Sequence, residues 1–118
     1  MHELAVCQAL IREVESIARQ RSAHSVEAIV VKLGPLSGVE PQLLQQAYPF
    51  ARAGTVAETA ELVIEQLPVK VRCDRCGRES DAAANRLLCA HCGDWHTQVT
   101  SGDELLLASV SLIDHTTH

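Results

Sequence analysis

Aromatic residues are scarce in this chain of 118 residues: Tyr48, Phe50 and Trp95 make up the whole 3%. An iron centre of the rubredoxin kind is lined with aromatics, so their scarcity counts against one here. A basic surplus is lacking too. Ten Lys and Arg stand against fifteen Asp and Glu, for a net charge of −5, whereas nucleic-acid binding needs excess cations to neutralise phosphates. No nucleic-acid partner is expected. There is no run of eighteen apolar residues, so no membrane-spanning segment is expected. No signal-peptide pattern opens the sequence and the cysteine count of five is odd, which disfavours a secreted disulfide framework. The expected location is the cytoplasm. Low-complexity stretches are absent, and the only internal repeat is a pair of short cysteine motifs.

Those motifs are Cys73-Asp-Arg-Cys76-Gly and Cys89-Ala-His-Cys92-Gly, separated by twelve residues. Two chelating turns at that spacing suit one ion in a sulfur tetrahedron, the geometry Zn²⁺ prefers. The Gly after each pair permits a positive φ, which lets backbone N–H groups point at the sulfurs. A catalytic C-x-x-C pair would open a helix in a βαβ setting. Here basic and polar residues flank each pair and Gly closes it, which describes a turn. Zinc is therefore the expected ion, with iron its competitor and a small iron electron carrier the corresponding alternative function.

The cysteine segment is too short to build a stable core, so metal binding must supply its folding energy, on the order of 10 kcal/mol or more. Charge follows the same division. Residues 69–97 carry Lys70, Arg72, Arg75, Arg78 and Arg86 against Asp74, Glu79, Asp81 and Asp94, while the remainder is strongly acidic. The expected organisation is an α/β domain of residues 1–67 plus 97–113, a zinc-binding domain of residues 68–96, and a disordered tail of residues 114–118.

Within the first domain, Leu4, Cys7, Leu10, Ile11, Val14 and Ile17 recur at helical spacing, so a helix begins almost at the first residue. Cys7 falls on its apolar face, as a buried and inert thiol. Val26 to Leu33 is β-branched and stops at Gly34-Pro35, as a strand does. Pro41 opens a second helix with Leu43, Leu44, Ala47 and Phe50 facing inward, and Pro49 should kink or loosen its last turn. Leu62 to Leu67 and Glu104 to Ile113 complete a three-stranded sheet. The fold class is α+β: two helices packed on a small three-stranded sheet, with a zinc-ribbon-like module of two knuckles inserted before the last strand.

The amino terminus offers nitrogen ligands. The Met1 amine, the His2 amide once deprotonated, the His2 imidazole and the Glu3 amide could form the tetragonal nitrogen plane that nickel(II) favours. The helix dipole opposes a cation there, but two ionised amides and the Glu3 carboxylate would offset it. Loading would release protons, so affinity should fall in acid. Beside the knuckles, His91 and His96 are surface histidines; His96 is singled out as a residue that could link the zinc site to pH.

Met1-His2-Glu3-Leu4, the following helix, Val31-Lys32-Leu33-Gly34, Val39-Glu40-Pro41, Leu62-Val63-Ile64-Glu65 and the paired C-x-x-C motifs together resemble the HypA family, including its HybF subgroup. The resemblance runs from Met1 to about Ile113. It implies a metallochaperone rather than an enzyme. By that resemblance, nickel(II) is transient cargo at His2 with Met1 and Glu3, and structural zinc(II) is held by Cys73, Cys76, Cys89 and Cys92. The implied partners are the maturation GTPase HypB and the precursor of the [NiFe]-hydrogenase large subunit; a monomer and a homodimer are both compatible with it. Pro49, Ser111 and the His-containing tail depart from the family pattern, and none of them is a metal position. The alternative is a zinc-ribbon interaction module with no nickel function.

Overall fold

The computed structural model describes residues 2–113, so Met1 and the tail of residues 114–118 lie outside the described residues. The element order is α1 (His2–Gln20), β1 (Ser25–Leu33), α2 (Pro41–Arg52), β2 (Glu61–Gln66), β3 (Val69–Cys73), β4 (Glu79–Ala82), β5 (Thr97–Ser101) and β6 (Leu105–Ile113). The fold is α+β. Its strands form two three-stranded sheets, ordered β2-β1-β6 and β4-β3-β5. No helix among the described residues is long and apolar enough to cross a membrane.

The described residues divide into two compact units: 2–31, 39–64 and 107–113 in one, 32–38 and 65–106 in the other. Thr97–Ser101 form β5, pairing antiparallel with β3.

In the first unit, α1 buries Cys7, Leu10, Ile11, Val14 and Ala18, the stripe that helical periodicity requires. The helix ends in a Schellman cap. Ala23 N–H donates to Ala18 O at 2.8 Å and Ser22 N–H to Arg19 O at 3.1 Å, with Ser22 at φ 56° where glycine is usual. Glu40 caps α2, its carboxylate accepting from Gln42 N–H at 3.5 Å, and Pro41 takes the first helical position.

The helix continues through Pro49 to Arg52, so the ring removes one internal hydrogen bond without ending the helix. Its buried face is also rotated from the sequence expectation. Leu44 and Tyr48 are buried, four residues apart, while Leu43 and Phe50 are 47% and 79% exposed. Tyr48 goes inside because its hydroxyl finds a buried acceptor, donating to Ala60 O at 3.0 Å. Arg52 donates to the same carbonyl and lies over the Tyr48 ring.

Cys7 is 1% exposed, and its S–H donates to Leu44 O at 3.5 Å. Burial, assisted by the Glu3 carboxylate, pushes its pKa up to about 11 from 9.0. The thiolate is the reactive form, and a rise of that size lowers its population about a hundredfold near neutral pH. In the folded, metal-loaded protein at pH 8, maleimide should therefore modify Cys7 at least that much more slowly than an ordinary thiol. Mass-resolved labelling in native buffer and in denaturant would measure the ratio, and fast native labelling would refute the buried placement. The sign for stability follows: the neutral buried thiol favours the fold below pH 9, and that contribution is lost as pH rises towards 11.

Candidate metal centre

Strand β3 delivers the first ligand by simple alternation. Val69, Val71 and Cys73 are buried and the residues between them exposed, so the pleat that makes a small core also aims the Cys73 sulfur inward. β4 holds one side of β3, pairing Val69 with Ala82 and Arg72 with Glu79, and the Lys70–Asp81 pair adds a 3.3 Å ion contact. β5 holds the other side, with an irregularity between Lys70 and Val71 that shifts its register before Cys73 meets Thr97.

The two knuckles repeat one geometry. In the first, Cys73 N–H donates to Arg78 O at 3.0 Å and Gly77 N–H to Cys73 O at 3.0 Å. In the second, Cys89 N–H donates to Asp94 O and Gly93 N–H to Cys89 O, both at 2.9 Å. Gly77 and Gly93 take φ values of 74° and 75°, the left-handed conformation that closes each turn. The turns then aim donors at sulfur: Arg75 N–H and Cys76 N–H at Cys73 Sγ (3.3 and 3.4 Å), and His91 N–H at Cys89 Sγ (3.3 Å).

The four Sγ atoms of Cys73, Cys76, Cys89 and Cys92 lie within 4.8 Å of one another. Cys73 Sγ is 3.6 Å from Cys92 Sγ, and Cys76 Sγ is 3.6 Å from Cys89 Sγ. A regular tetrahedron with metal–sulfur bonds near 2.3 Å has sulfur–sulfur edges of about 3.8 Å. The cluster therefore has the size and donor set of a tetrathiolate zinc site, and 3.6 Å is far too long for a disulfide bond.

The electrostatics fit a divalent ion. The backbone N–H of Cys92 pulls the Cys89 thiol down to about 6, and the N–H of His91 and the contact with Cys76 work in the same direction against desolvation. For Cys92 the N–H of Asp94 pulls downward, but sharing a proton with Cys73, desolvation and the other two sulfurs together push it up to about 12. One thiolate is favoured at Cys89, while Cys76 and Cys92 are pushed up and resist becoming the second, which is how crowded like charges behave without a cation.

Asp94 fastens the knuckles to each other. Its carboxylate receives Arg75 Nε of the first knuckle at 2.7 Å and the His96 N–H at 3.0 Å. The backbone N–H of His96 is the largest of the contacts that hold this carboxyl below its ordinary pKa. His96 lies outside the four-sulfur group: its Nδ1 is 2.7 Å from Asp94 Oδ1 and its ring stacks on Trp95 at 3.8 Å between centroids. His91 Nε2 lies 3.2 Å from Glu79 O, and Trp95 is 70% exposed. Sequence reasoning passed over Asp94; an acid directly after the second C-x-x-C-G was the available signal.

At the other sequence-selected site, His2 is exposed at the first position of α1. The Glu3 carboxylate accepts from Glu40 N–H at 3.3 Å, which ties the start of α1 to the start of α2. Met1 lies outside the described residues.

A two-helix α+β unit joined to a sulfur clasp of the zinc-ribbon kind defines a small metal-binding protein. A family model described as hydrogenase/urease nickel incorporation, metallochaperone, HypA, matches residues 1–112. The hydrogenase maturation factor HypA of Nitrosospira multiformis is 51% identical over 96% of this chain and 98% of its own, and that of Aquifex aeolicus is 44% identical over 95% and 97%. The solution structure of the Ni metallochaperone HypA from Helicobacter pylori superimposes with a TM-score of 0.70 at 27% identity, covering 94% of this chain and 97% of its own. The chain belongs to the HypA family of nickel-incorporation metallochaperones.

Proposed function

We propose that this protein carries nickel(II) to the large-subunit precursor of a [NiFe]-hydrogenase in the cytoplasm, working with the GTPase HypB and performing no covalent chemistry. The observation that carries the reading is the family match across residues 1–112 in a chain that also has the four-sulfur clasp. Zinc is the proposed ion of that clasp, through Cys73, Cys76, Cys89 and Cys92. Its role is structural: four thiolates neutralised by a divalent cation fix the two turns together.

Nickel is the cargo, and His2 with Met1 and Glu3 is its proposed holder. The first N–H groups of a helix have no acceptor within the helix. Ionising the amides of His2 and Glu3 to ligate nickel would therefore break no hydrogen bond of α1. The Glu3 carboxylate already faces Glu40 N–H, which favours its amide as the ligating group. Each amide that ligates gives up a proton, so loading should weaken as pH falls, and acid would favour release.

Nickel titration of the zinc-loaded protein by calorimetry tests the site, with His2→Ala and an N-terminally extended form alongside. Both variants should bind at least about tenfold more weakly than the parent, the usual scale for losing a ligand's support or more. Equal affinity in all three would refute the amino-terminal site.

A further inference from the structure

We propose that Asp94 is a positioning residue that keeps nickel(II), the cargo, out of the sulfur clasp by holding the two knuckles crossed through Arg75. The inference rests on the reading of zinc as the ion of the clasp and nickel as the cargo. Thiolates accept both ions, so geometry has to keep them apart. Zinc takes four sulfurs as a tetrahedron, whereas nickel(II) favours a square plane. Each knuckle contributes two sulfurs, Cys73 with Cys76 and Cys89 with Cys92. In a tetrahedron the two pairs lie at right angles, and in a plane they lie parallel. To suit nickel, one knuckle must therefore turn by about a quarter of a circle against the other. Whatever resists that turn selects zinc.

The strap Asp94-Trp95-His96, directly after the second knuckle, is fastened to both. Asp94 O accepts from Cys89 N–H at 2.9 Å, which fixes its start to the second knuckle. His96 O accepts from Asp74 N–H at 2.8 Å, which fixes its end to the first. Between these points the Asp94 carboxylate gives Oδ1 to His96 N–H at 3.0 Å and Oδ2 to Arg75 Nε at 2.7 Å. The carboxylate is thus locked to its own strap before it meets the first knuckle. Its side chain is 9% exposed, although Arg75 is 76% exposed. A charge-assisted bond from a planar guanidinium fixes direction as well as distance. A quarter turn would carry Arg75 away and leave a nearly enclosed anion without its cation, which is unfavourable. Ser80 Oγ accepts from Ala90 N–H at 3.0 Å and adds an uncharged tie between the same segments. The Lys70–Asp81 contact, by contrast, lies within the β3–β4 pairing and spans no knuckle.

Metal competition on the zinc-loaded protein tests the proposal, in a His2→Ala background so that nickel at the amino terminus does not enter the count. Each form is equilibrated with nickel(II) and zinc(II) at equal buffered free concentrations under a thiol-free reductant. Native mass spectrometry gives the nickel-to-zinc ratio, and sulfur-to-nickel charge-transfer absorption shows that the nickel sits on thiolate. With the strap intact, the clasp should hold zinc. Asp94→Ala should raise the ratio about tenfold or more, the scale of losing an outer-shell partner. Arg75→Gln, a change at an exposed side chain that spares the core, should shift it the same way. The two changes together should do no more than Asp94→Ala alone, because they remove one contact. Asp81→Asn breaks the Lys70–Asp81 contact and should leave the ratio unchanged. A merely structural weakening would lower the affinity for both ions and leave the ratio where it was. An unchanged ratio in Asp94→Ala and Arg75→Gln, or an equal rise in Asp81→Asn, would overturn the role given to the strap. An intact clasp that itself prefers nickel would overturn that role together with the zinc assignment, whereas the amino-terminal holder is decided separately by the calorimetry above.

Discussion

Exchanging Cys73 or Cys89 for serine should unfold the β4-β3-β5 sheet while the helices remain. The four-cysteine module has almost no conventional core. Val69, Val71, Cys73 and Cys89 are the buried apolar side chains of residues 68–101, and two of these are thiols of the cluster. Ordering a residue costs about 1.5 kcal/mol in backbone and side-chain entropy, so two valines cannot hold some thirty residues in place. A structural zinc site contributes on the order of 10 kcal/mol or more, and that contribution depends on all four thiolates. Metal affinity should therefore fall by more than the roughly 10–100-fold typical of losing an outer-shell partner. The chain's one tryptophan, Trp95, lies three residues beyond Cys92 and reports on this module, whereas ellipticity at helical wavelengths reports on α1 and α2. A large change in Trp95 emission with most of the helical signal retained is the expected result, for either variant or for strong chelation of the parent. Trp95 emission and amide protection in β3 that survive complete metal removal would show that the sheet needs no ion.

Periodicity carried the first unit because its helices and long strands bury one face each. α1 could be traced from Cys7, Leu10, Ile11 and Val14 alone, since every one of those side chains points into the same core. The inward face of α2 could not. Phe50 is its most apolar-looking residue and is exposed, whereas Tyr48, which carries a hydroxyl, is buried because Ala60 O accepts from it. That partner comes from a loop twelve residues away, and no window along the helix contains it. The second sheet escaped for a similar reason. β4 reads Glu-Ser-Asp-Ala and β5 reads Thr-Gln-Val-Thr-Ser, with one large apolar residue between them. These strands exist through pairing with β3 rather than through a hydrophobic face of their own.

The sulfur cluster was legible because chelation is a spacing rule: two residues between cysteines and a glycine after each pair set the turn. The proposed amino-terminal nickel site is of another kind. Nothing in its local pattern separates His2 from any exposed histidine, and its assignment came through resemblance.

Gly34→Ala should be among the most damaging single methyl additions in the chain, and Gly38→Ala, four residues on, should be much milder. The reason lies in backbone approach. Gly34 N–H donates to Glu104 O at 2.9 Å and Leu36 N–H to Gly102 O at 2.8 Å, which clamps the turn after β1 against the segment that enters β6. A Cβ on Gly34 would lie 2.0 Å from Gly102 O and 2.7 Å from Gly102 Cα. Those are main-chain atoms and cannot swing aside. Gly102 itself cannot retreat freely, because it sits at φ 108° with its own missing Cβ 2.8 Å from Val69 Cα. Relief would require breaking the two clamping hydrogen bonds, about 1 kcal/mol each, on top of overpacking strain of about 1–3 kcal/mol. The total, about 3–5 kcal/mol, is a large fraction of the stability of a small protein. Gly38 has φ 81° but nothing within 4 Å of its absent Cβ. Its alanine variant bears only the left-handed backbone term, about 1–2 kcal/mol. Urea titration of the zinc-loaded variants should separate the two by their midpoints at unchanged slope. Equal midpoints would mean that the Gly34–Gly102 approach is looser than 2.0 Å implies.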